Sequence, residues 1–423
     1  MSEAVELQEA HALFERIRSQ SADAPGVTRV SYGDGENFAH AQIAQWAHAL
    51  TLEVEHDAAG NQYVTLPGRD RSQPKVIMGS HMDSVRHGGN FDGAAGVVSA
   101  MAALHRLVRL GCEPERDLTV MCIRAEEIVW FPCHYAGSRM AFGLLDASLY
   151  DELRRSDSGR TLAQHIDELG FDAEALRRGA AYLNRASIHC YLEVHIEQGP
   201  VLLRAGKPLG VVTGIRGNLR YRNCRIDGAY SHAGGIPRTY RQDAVFAFVE
   251  FAHGLEARCK ELEAAGHDVV YTVGEAFTEA AQHAITKVPG RFDFKMDIRS
   301  MDNALLTALD QSLRDDAKRI AGARNVGIDL GEVTNAEPAV MDPNLRSRFW
   351  HCIDRRGFSA MDIGSGGGHD CAVFASQGVP SAMLFIRNDG GSHNPEESME
   401  LGDFDDAVTV LAEFLQHQFC EAE

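Results

Sequence analysis

Ten residues separate His81 from Asp92, in the segments GSHMDSV (79–85) and GGNFDG (88–93), and an imidazole paired with a carboxylate suits a divalent metal ion. The short apolar run over residues 75–78 reads as a buried strand, so His81 falls just past its C-terminal end. Open α/β sheets collect their ligands at that edge.

Three later segments repeat the arrangement. Leu118–Ile123 leads into Glu126 and Glu127, residues 191–194 into His195 and Gln198, and residues 382–386 into His393. The strand ends of a parallel sheet converge on one crevice, so these residues are expected to meet although they are distant in sequence. Three histidines, one aspartate and two adjacent glutamates are a suitable stock for two metal ions and a base. Asp92, beside a glycine that lets backbone approach, is the natural bridge, with His81 and His195 completing one ion and Glu127 and His393 the other. Glu126 then remains unligated, placed to take a proton from water and pass it to a leaving nitrogen. Asp83 is placed to orient the His81 imidazole.

Singly, each signal has a bland reading. A histidine at a strand end is usually a hydrogen-bonded structural residue, and adjacent glutamates are usually a solvated face. The glycine-rich run 364–368, with no Gly-Lys-Ser/Thr after it, reads as a flexible turn and not as a phosphate loop. Joint occurrence at several strand ends is what carries the argument.

At 423 residues the chain exceeds what one core holds, so two domains are expected. Through about residue 212, apolar runs (75–78, 118–123, 190–196) alternate with helical stretches such as 96–110, the signature of an α/β layered domain. Over 213–330 the pattern changes: strand-like 221–226, 269–272, 291–298 and 326–330 interleave with helical 244–262 and 303–321, a small α+β sandwich. A linker over 334–343 closes this insert and α/β alternation resumes, giving one domain (1–212 and 331–423) interrupted by another.

The composition, 44% hydrophobic and 24% charged, is that of a globular protein, and no run approaches the roughly 18 apolar residues of a membrane span. A formal charge of −19 disfavours nucleic acid and anionic membrane as partners. The acidic, amphipathic N-terminus lacks the basic start of a signal peptide, so a cytoplasmic location is expected. Nine cysteines without a C-x-x-C pair argue against a disulfide framework and a zinc ribbon, leaving most as small buried hydrophobes.

The segments GSHMDSV, GGNFDGAAGV, Glu126-Glu127, LEVHIEQGPVL, GAYSHAGGIPRTYRQDA, VPGRFDFKMDIRS, SGGGHD and GGSHNPEE, in this order over 79–397, resemble the M20-type metallopeptidases. Within that family they are most similar to the amidohydrolases acting on N-carbamoyl amino acids, ureidopropionate and allantoate, because His195 stands where peptidases usually carry a carboxylate. The resemblance implies an α/β, phosphorylase/hydrolase-like dinuclear-metal catalytic domain interrupted by a smaller α+β, ferredoxin-like domain that mediates homodimerisation. It implies two divalent ions per subunit, zinc by default, with manganese, cobalt or nickel as alternatives. It also implies that His232 reaches the active site from the partner subunit to stabilise an oxyanion, that Arg299 holds the substrate carboxylate, and that Arg220 and Gln198 bind substrate.

Departures from the family pattern fall on the substrate side. Gly235, Ile236 and Arg238 replace Thr, Thr and Met after His232, Thr286 replaces an asparagine, and Arg387-Asn388 replaces Pro-Ser. After the glutamate pair, Ile128-Val129-Trp130-Phe131 replaces Gly-Ser-Arg-Phe, which predicts a bulkier, more apolar pocket wall. The expected activity is hydrolysis of a linear amide or ureido C–N bond in a small carboxylate substrate, an N-carbamoyl-L-amino acid before others. An allantoate-type or other N-acyl amino acid hydrolase is the alternative, favoured if Arg220 and Arg387 both point into the pocket. A catalytically silent, metal-stabilised dimeric binding protein would have no need of Glu126.

Overall fold

The computed structural model describes residues 4–420 and divides into two compact units, one built from the chain up to Thr213 and again from Val340, the other from Gly214–Ala339. In the first unit the strands Ser381–Ile386, Ile188–Ile196, Lys75–His81 and Leu118–Ile123 lie side by side in that order, all parallel. Their near-continuous burial is what strands covered on both faces require. Antiparallel strands Gln62–Leu66 and Glu53–His56 extend one side, and Leu209–Ile215 pairs antiparallel on the other. The register sets His81 opposite Ile123 and His195 opposite Phe385, so the four parallel strands end together. The strand expected over 75–78 runs past Met78 to include His81 itself.

Helix Ala94–Arg109 is buried at every position from Ala94 to Leu104, an apolar-all-round helix packed between the sheet and the helices Val5–Ser21 and Leu401–Leu415. A Cβ on Gly96 would stand 2.7 Å from the Ser80 Cβ and collide with the Val194 carbonyl, so only glycine lets the helix approach the strands this closely. A satellite core gathers Tyr32, Trp130, Phe131, Tyr150, Leu162 and Ile166.

The second unit is an antiparallel sheet in the order Val270–Thr278, Arg291–Ser300, Gly217–Asp227, Gly327–Asp329, with helices Ala244–Ala264 and Asn303–Arg324 contributing to its apolar core. Its chain order, β-α-β-β-α-β, is the split βαβ arrangement. This unit ends at Ala339 and not at 330, because Val333–Ala336 pairs with residues 218–221 of the long strand. The expected linker is thus partly an edge strand, too short and too exposed to show period-two alternation.

The cysteine reading needs one correction. Cys112 and Cys420 form a disulfide across 308 residues of sequence, while the seven free cysteines are all buried as expected. Spacing gave no hint of that pair, since the two ends meet only through tertiary packing. No helix among the described residues is long and apolar enough to cross a membrane.

Candidate metal centre

The ends of the four parallel strands and the loops after them bring His81, Asp83, Asp92, Glu126, Glu127, His195, Gln198 and His393 together in the first unit. Asp92 is the hub. Its Oδ1 lies 3.1 Å from His195 Nε2 and 3.9 Å from His81 Nε2, and its Oδ2 lies 3.0 Å from His393 Nε2. Glu127 Oε1 is 3.5 Å from the same His393 nitrogen. Two donor sets share Asp92, His81–Asp92–His195 and Asp92–Glu127–His393, and a third, His81–Glu126–Glu127, takes in the glutamate pair, with ligand atoms in each within 4.8 Å of one another.

Hydrogen bonds aim these donors. His195 Nδ1 meets the Ile196 carbonyl at 2.9 Å, and His81 Nδ1 meets the Asp83 carbonyl at 3.0 Å and its Oδ1 at 3.3 Å, which leaves both Nε2 atoms facing Asp92. Asp83 is itself held by the backbone N–H groups of Glu126 and Glu127, each at 3.2 Å, and by Ser31 Oγ at 2.6 Å. The first metal loop is thereby tied to the glutamate pair. The turn into that pair is strained: Ala125 has φ of +52°, and its N–H donates to the buried Glu36 carboxylate, which also pairs with Arg124.

Burial favours a neutral Asp92, but His195 and His393 outweigh it and hold the carboxylate well below the usual range. His393 is raised to about 9, chiefly by its hydrogen bond to Asp92. Glu127 is pushed up to about 7 by burial and by the neighbouring Asp92 charge. Glu126, whose Oε2 is 4.0 Å from His81 Nε2, is pushed well above the usual carboxylate range by burial, with Glu127, Asp370 and Asp83 adding to the shift and His81 opposing it. Burial thus shifts this carboxyl in the direction that suits a group exchanging protons during turnover.

These residues fit a pair of divalent cations. Imidazole nitrogens and carboxylate oxygens are the right donor chemistry, and Glu127 Oε1 is buried with no hydrogen-bond partner, an orphan acceptor that a cation would satisfy. A further group, Glu193–His195–His369, is less suited. Glu193 already accepts from Ser80 Oγ at 2.9 Å and from the Cys371 N–H at 2.8 Å, and His369 Nε2 meets Ser365 Oγ at 2.9 Å.

Several residues that hold the site were not singled out in the sequence. Glu397 accepts from the backbone of Phe91 and Asp92 at 2.8 and 3.2 Å, and the Ser392 hydroxyl lies between two carboxylates, 2.8 Å from Glu397 Oε2 and 2.9 Å from Asp92 Oδ2, its one proton shared between them. Glu193, His369 and Asp370 are buried around His195. The GGSHNPEE, LEVHIEQGPVL and SGGGHD segments contained these residues, but nothing in their spacing separated support from ligation.

The readings of the Trp130–Phe131 wall and of the glycine run are corrected, and the orientation of Arg387, left open by the sequence, is seen. Trp130 and Phe131 belong to the satellite core, the Trp130 indole N–H donating to the Ser84 carbonyl at 2.7 Å, so they brace the loop after His81 instead of walling a pocket. Arg387 forks onto Asp403 at 2.7 and 3.1 Å. The glycine run 364–368 is closely packed, since a Cβ on Gly367 or Gly368 would collide with Gln198 or Tyr135. Gln198 Nε2 donates to both Asp92 oxygens at 3.3–3.4 Å.

His232, Arg220 and Arg299 lie in the second unit. His232 is exposed, and its Nδ1 accepts from the N–H groups of Gly234 and Gly235 at 3.1 and 2.9 Å, which assigns the neutral ring's proton to Nε2. Arg299 donates to Asp297 at 2.7 and 3.2 Å, and Arg220, opposite Asp297 on the neighbouring strand, lies 3.5 Å from the same oxygen.

Residues 77–417 match the sequence pattern of peptidase family M20/M25/M40, and the chain belongs to that family. It is 33% identical to the allantoate amidohydrolase of Escherichia coli (strain K12), over 94% of each chain. It is 32% identical to the N-carbamoyl-L-amino-acid amidohydrolase of Paenarthrobacter aurescens, over 96% of this chain and 97% of that one. Among solved structures, an amidase of the hydantoinase/carbamoylase family from Burkholderia multivorans superimposes with a TM-score of 0.88 at 27% identity, covering 99% of this chain and 98% of the other.

Proposed function

We propose that the protein is a metal-dependent amidohydrolase that cleaves a linear amide or ureido C–N bond in a small carboxylate-bearing substrate, an N-carbamoyl-L-amino acid before others. The observation that carries this reading is the sharing of Asp92 by two donor sets, with Glu126 beside them, its Oε2 4.0 Å from His81 Nε2. In this reading His81, Asp92 and His195 hold one divalent ion and Asp92, Glu127 and His393 a second; zinc, manganese, cobalt and nickel all suit such donors. Ions bound there polarise a carbonyl oxygen and lower the pKa of water.

Glu126 takes the proton of the attacking water and returns it to the leaving nitrogen. His232, from the partner subunit of a homodimer built through the second unit, donates its Nε2–H to the developing oxyanion. Arg299 receives the substrate carboxylate, Arg220 also binds substrate, and Gln198 contacts it beside Asp92. The reaction takes place in the cytoplasm. An allantoate substrate is the second reading, favoured by the relatives of that name in Escherichia coli and Bacillus subtilis (strain 168). The engagement of Arg387 by Asp403 weighs against it.

The test is a panel of N-carbamoyl, N-formyl and N-acetyl amino acids with allantoate, each run with several divalent metals. Metal-dependent ammonia release from N-carbamoyl-L-amino acids is expected, and a metal-loaded protein inert on the whole panel would overturn the reading. Mixing His232→Ala with Glu126→Gln subunits should restore partial turnover; no recovery would remove the cross-subunit role.

A further inference from the structure

Arg29 is fully buried, and its guanidinium reaches both ends of the loop between His81 and Asp92. Nε donates to the Met82 carbonyl at 2.8 Å; Nη1 and Nη2 donate to Asn90 Oδ1 at 3.1 Å and to the Asn90 carbonyl at 3.2 Å. The Arg29 backbone closes on Ser84, its N–H donating to Oγ and its carbonyl accepting from the Ser84 N–H, both at 2.9 Å. Asn90 is anchored in turn, its Nδ2 donating to the Phe14 carbonyl at 3.0 Å.

All these acceptors are neutral. Among the described residues no carboxylate is hydrogen-bonded to Arg29; the anions that feel its charge are Glu397, Asp83, Asp92 and Glu127, the carboxylates of the metal centre and its supports. Burying a cation without a local counter-ion is costly, so its retention under this loop needs a compensating gain. The gain is electrostatic as well as geometric, because the same positive field offsets the mutual repulsion of carboxylates that face one another before any ion arrives.

We propose that Arg29 is a positioning residue of the metal centre: by clamping Met82 to Asn90 it holds His81 and Asp92 at ligating separation in the metal-free protein. The proposal rests on the reading of those residues as metal ligands. Arg29 acts through Met82 and Asn90 and not on the reacting atoms. A lysine would keep the charge but lose the planar fork that spans the two ends.

Arg29→Lys and Asn90→Ala, each prepared metal-free, are to be titrated with Zn2+ against a competing chelator, with melting of the metal-free proteins recorded alongside. Arg29→Lys should bind zinc about 10–100-fold more weakly, as loss of a supporting contact does, with Asn90→Ala shifted in the same direction. Excess zinc should restore turnover with an unchanged KM. Folded variants that bind zinc like the parent would overturn the clamp alone. Failure of both variants to fold, with or without zinc, would also overturn it, since Arg29 would then serve the fold as a whole. A parent protein that binds no divalent ion would overturn the metal-centre reading and the clamp with it.

Discussion

The His81 imidazole lies against the bare Cα of Gly93, where a Cβ would stand 2.5 Å from each ring nitrogen, and Gly93 itself has φ of +67°. Glycine next to Asp92 therefore serves the neighbouring histidine as much as the aspartate. Gly93→Ala should push the ring aside and strain the backbone, weakening metal binding about 10–100-fold and stability by about 1–3 kcal/mol. Metal titration and thermal melting read the two effects separately, and parental metal affinity in this variant would show that the ring has room to move.

Of the adjacent glutamates, Glu126 is the one that neither proposed ion requires. Glu126→Gln should keep its metal content while turnover falls by about 10²–10⁴-fold, the range for losing a general acid–base. Elemental analysis beside steady-state rates checks both, and unchanged turnover would remove Glu126 from the chemistry.

Metal binding should release protons. His393, raised to about 9 chiefly by Asp92, carries a proton at neutral pH in the metal-free protein, yet ligates only when neutral. Despite burial, His81 and His195 are raised as well, His81 strongly, by their carboxylate partners, so affinity should rise as pH climbs towards 9. Below about 7 Glu127 adds a further proton to displace, so the dependence steepens there. Calorimetry in buffers of different ionisation enthalpy counts the protons, and a pH-independent affinity between 6 and 9 would contradict the assignment.

Arg387→Ala should leave KM for every accepted substrate unchanged, because the guanidinium is committed to Asp403. Removing it strands a largely buried carboxylate and should cost about 1–3 kcal/mol in denaturant unfolding. A raised KM would return Arg387 to the pocket.

The Cys112–Cys420 pair predicts a redox-dependent stability. Cys420→Ser, or reduction of the parent, should lower stability by about 2–4 kcal/mol with little effect on turnover. Non-reducing peptide mapping shows whether the bond is present, and equal melting of parent and variant under oxidising conditions would deny it a stabilising role.

Much of this was legible in the chain. The apolar runs at 118–123, 190–196 and 382–386 are strands in the structure, and His195 ends one while His393 follows another. Strand periodicity and chemically loaded strand ends are local properties, which is why they survive in one dimension. The short exposed strand Val333–Ala336 was not legible, because pairing and not alternation defines it.

Local sequence therefore determined the donor types, their attachment to strand ends and the α/β class, since each depends on residues within a few positions of one another. Which oxygen of Asp92 faces which histidine, that Trp130 packs in a core and Arg387 pairs with Asp403, and that Arg29 spans the loop from Met82 to Asn90 were decided only by the tertiary structure. Those facts depend on side-chain direction and on contacts across tens to hundreds of residues, where a packed interior selects one partner from many that the sequence allows.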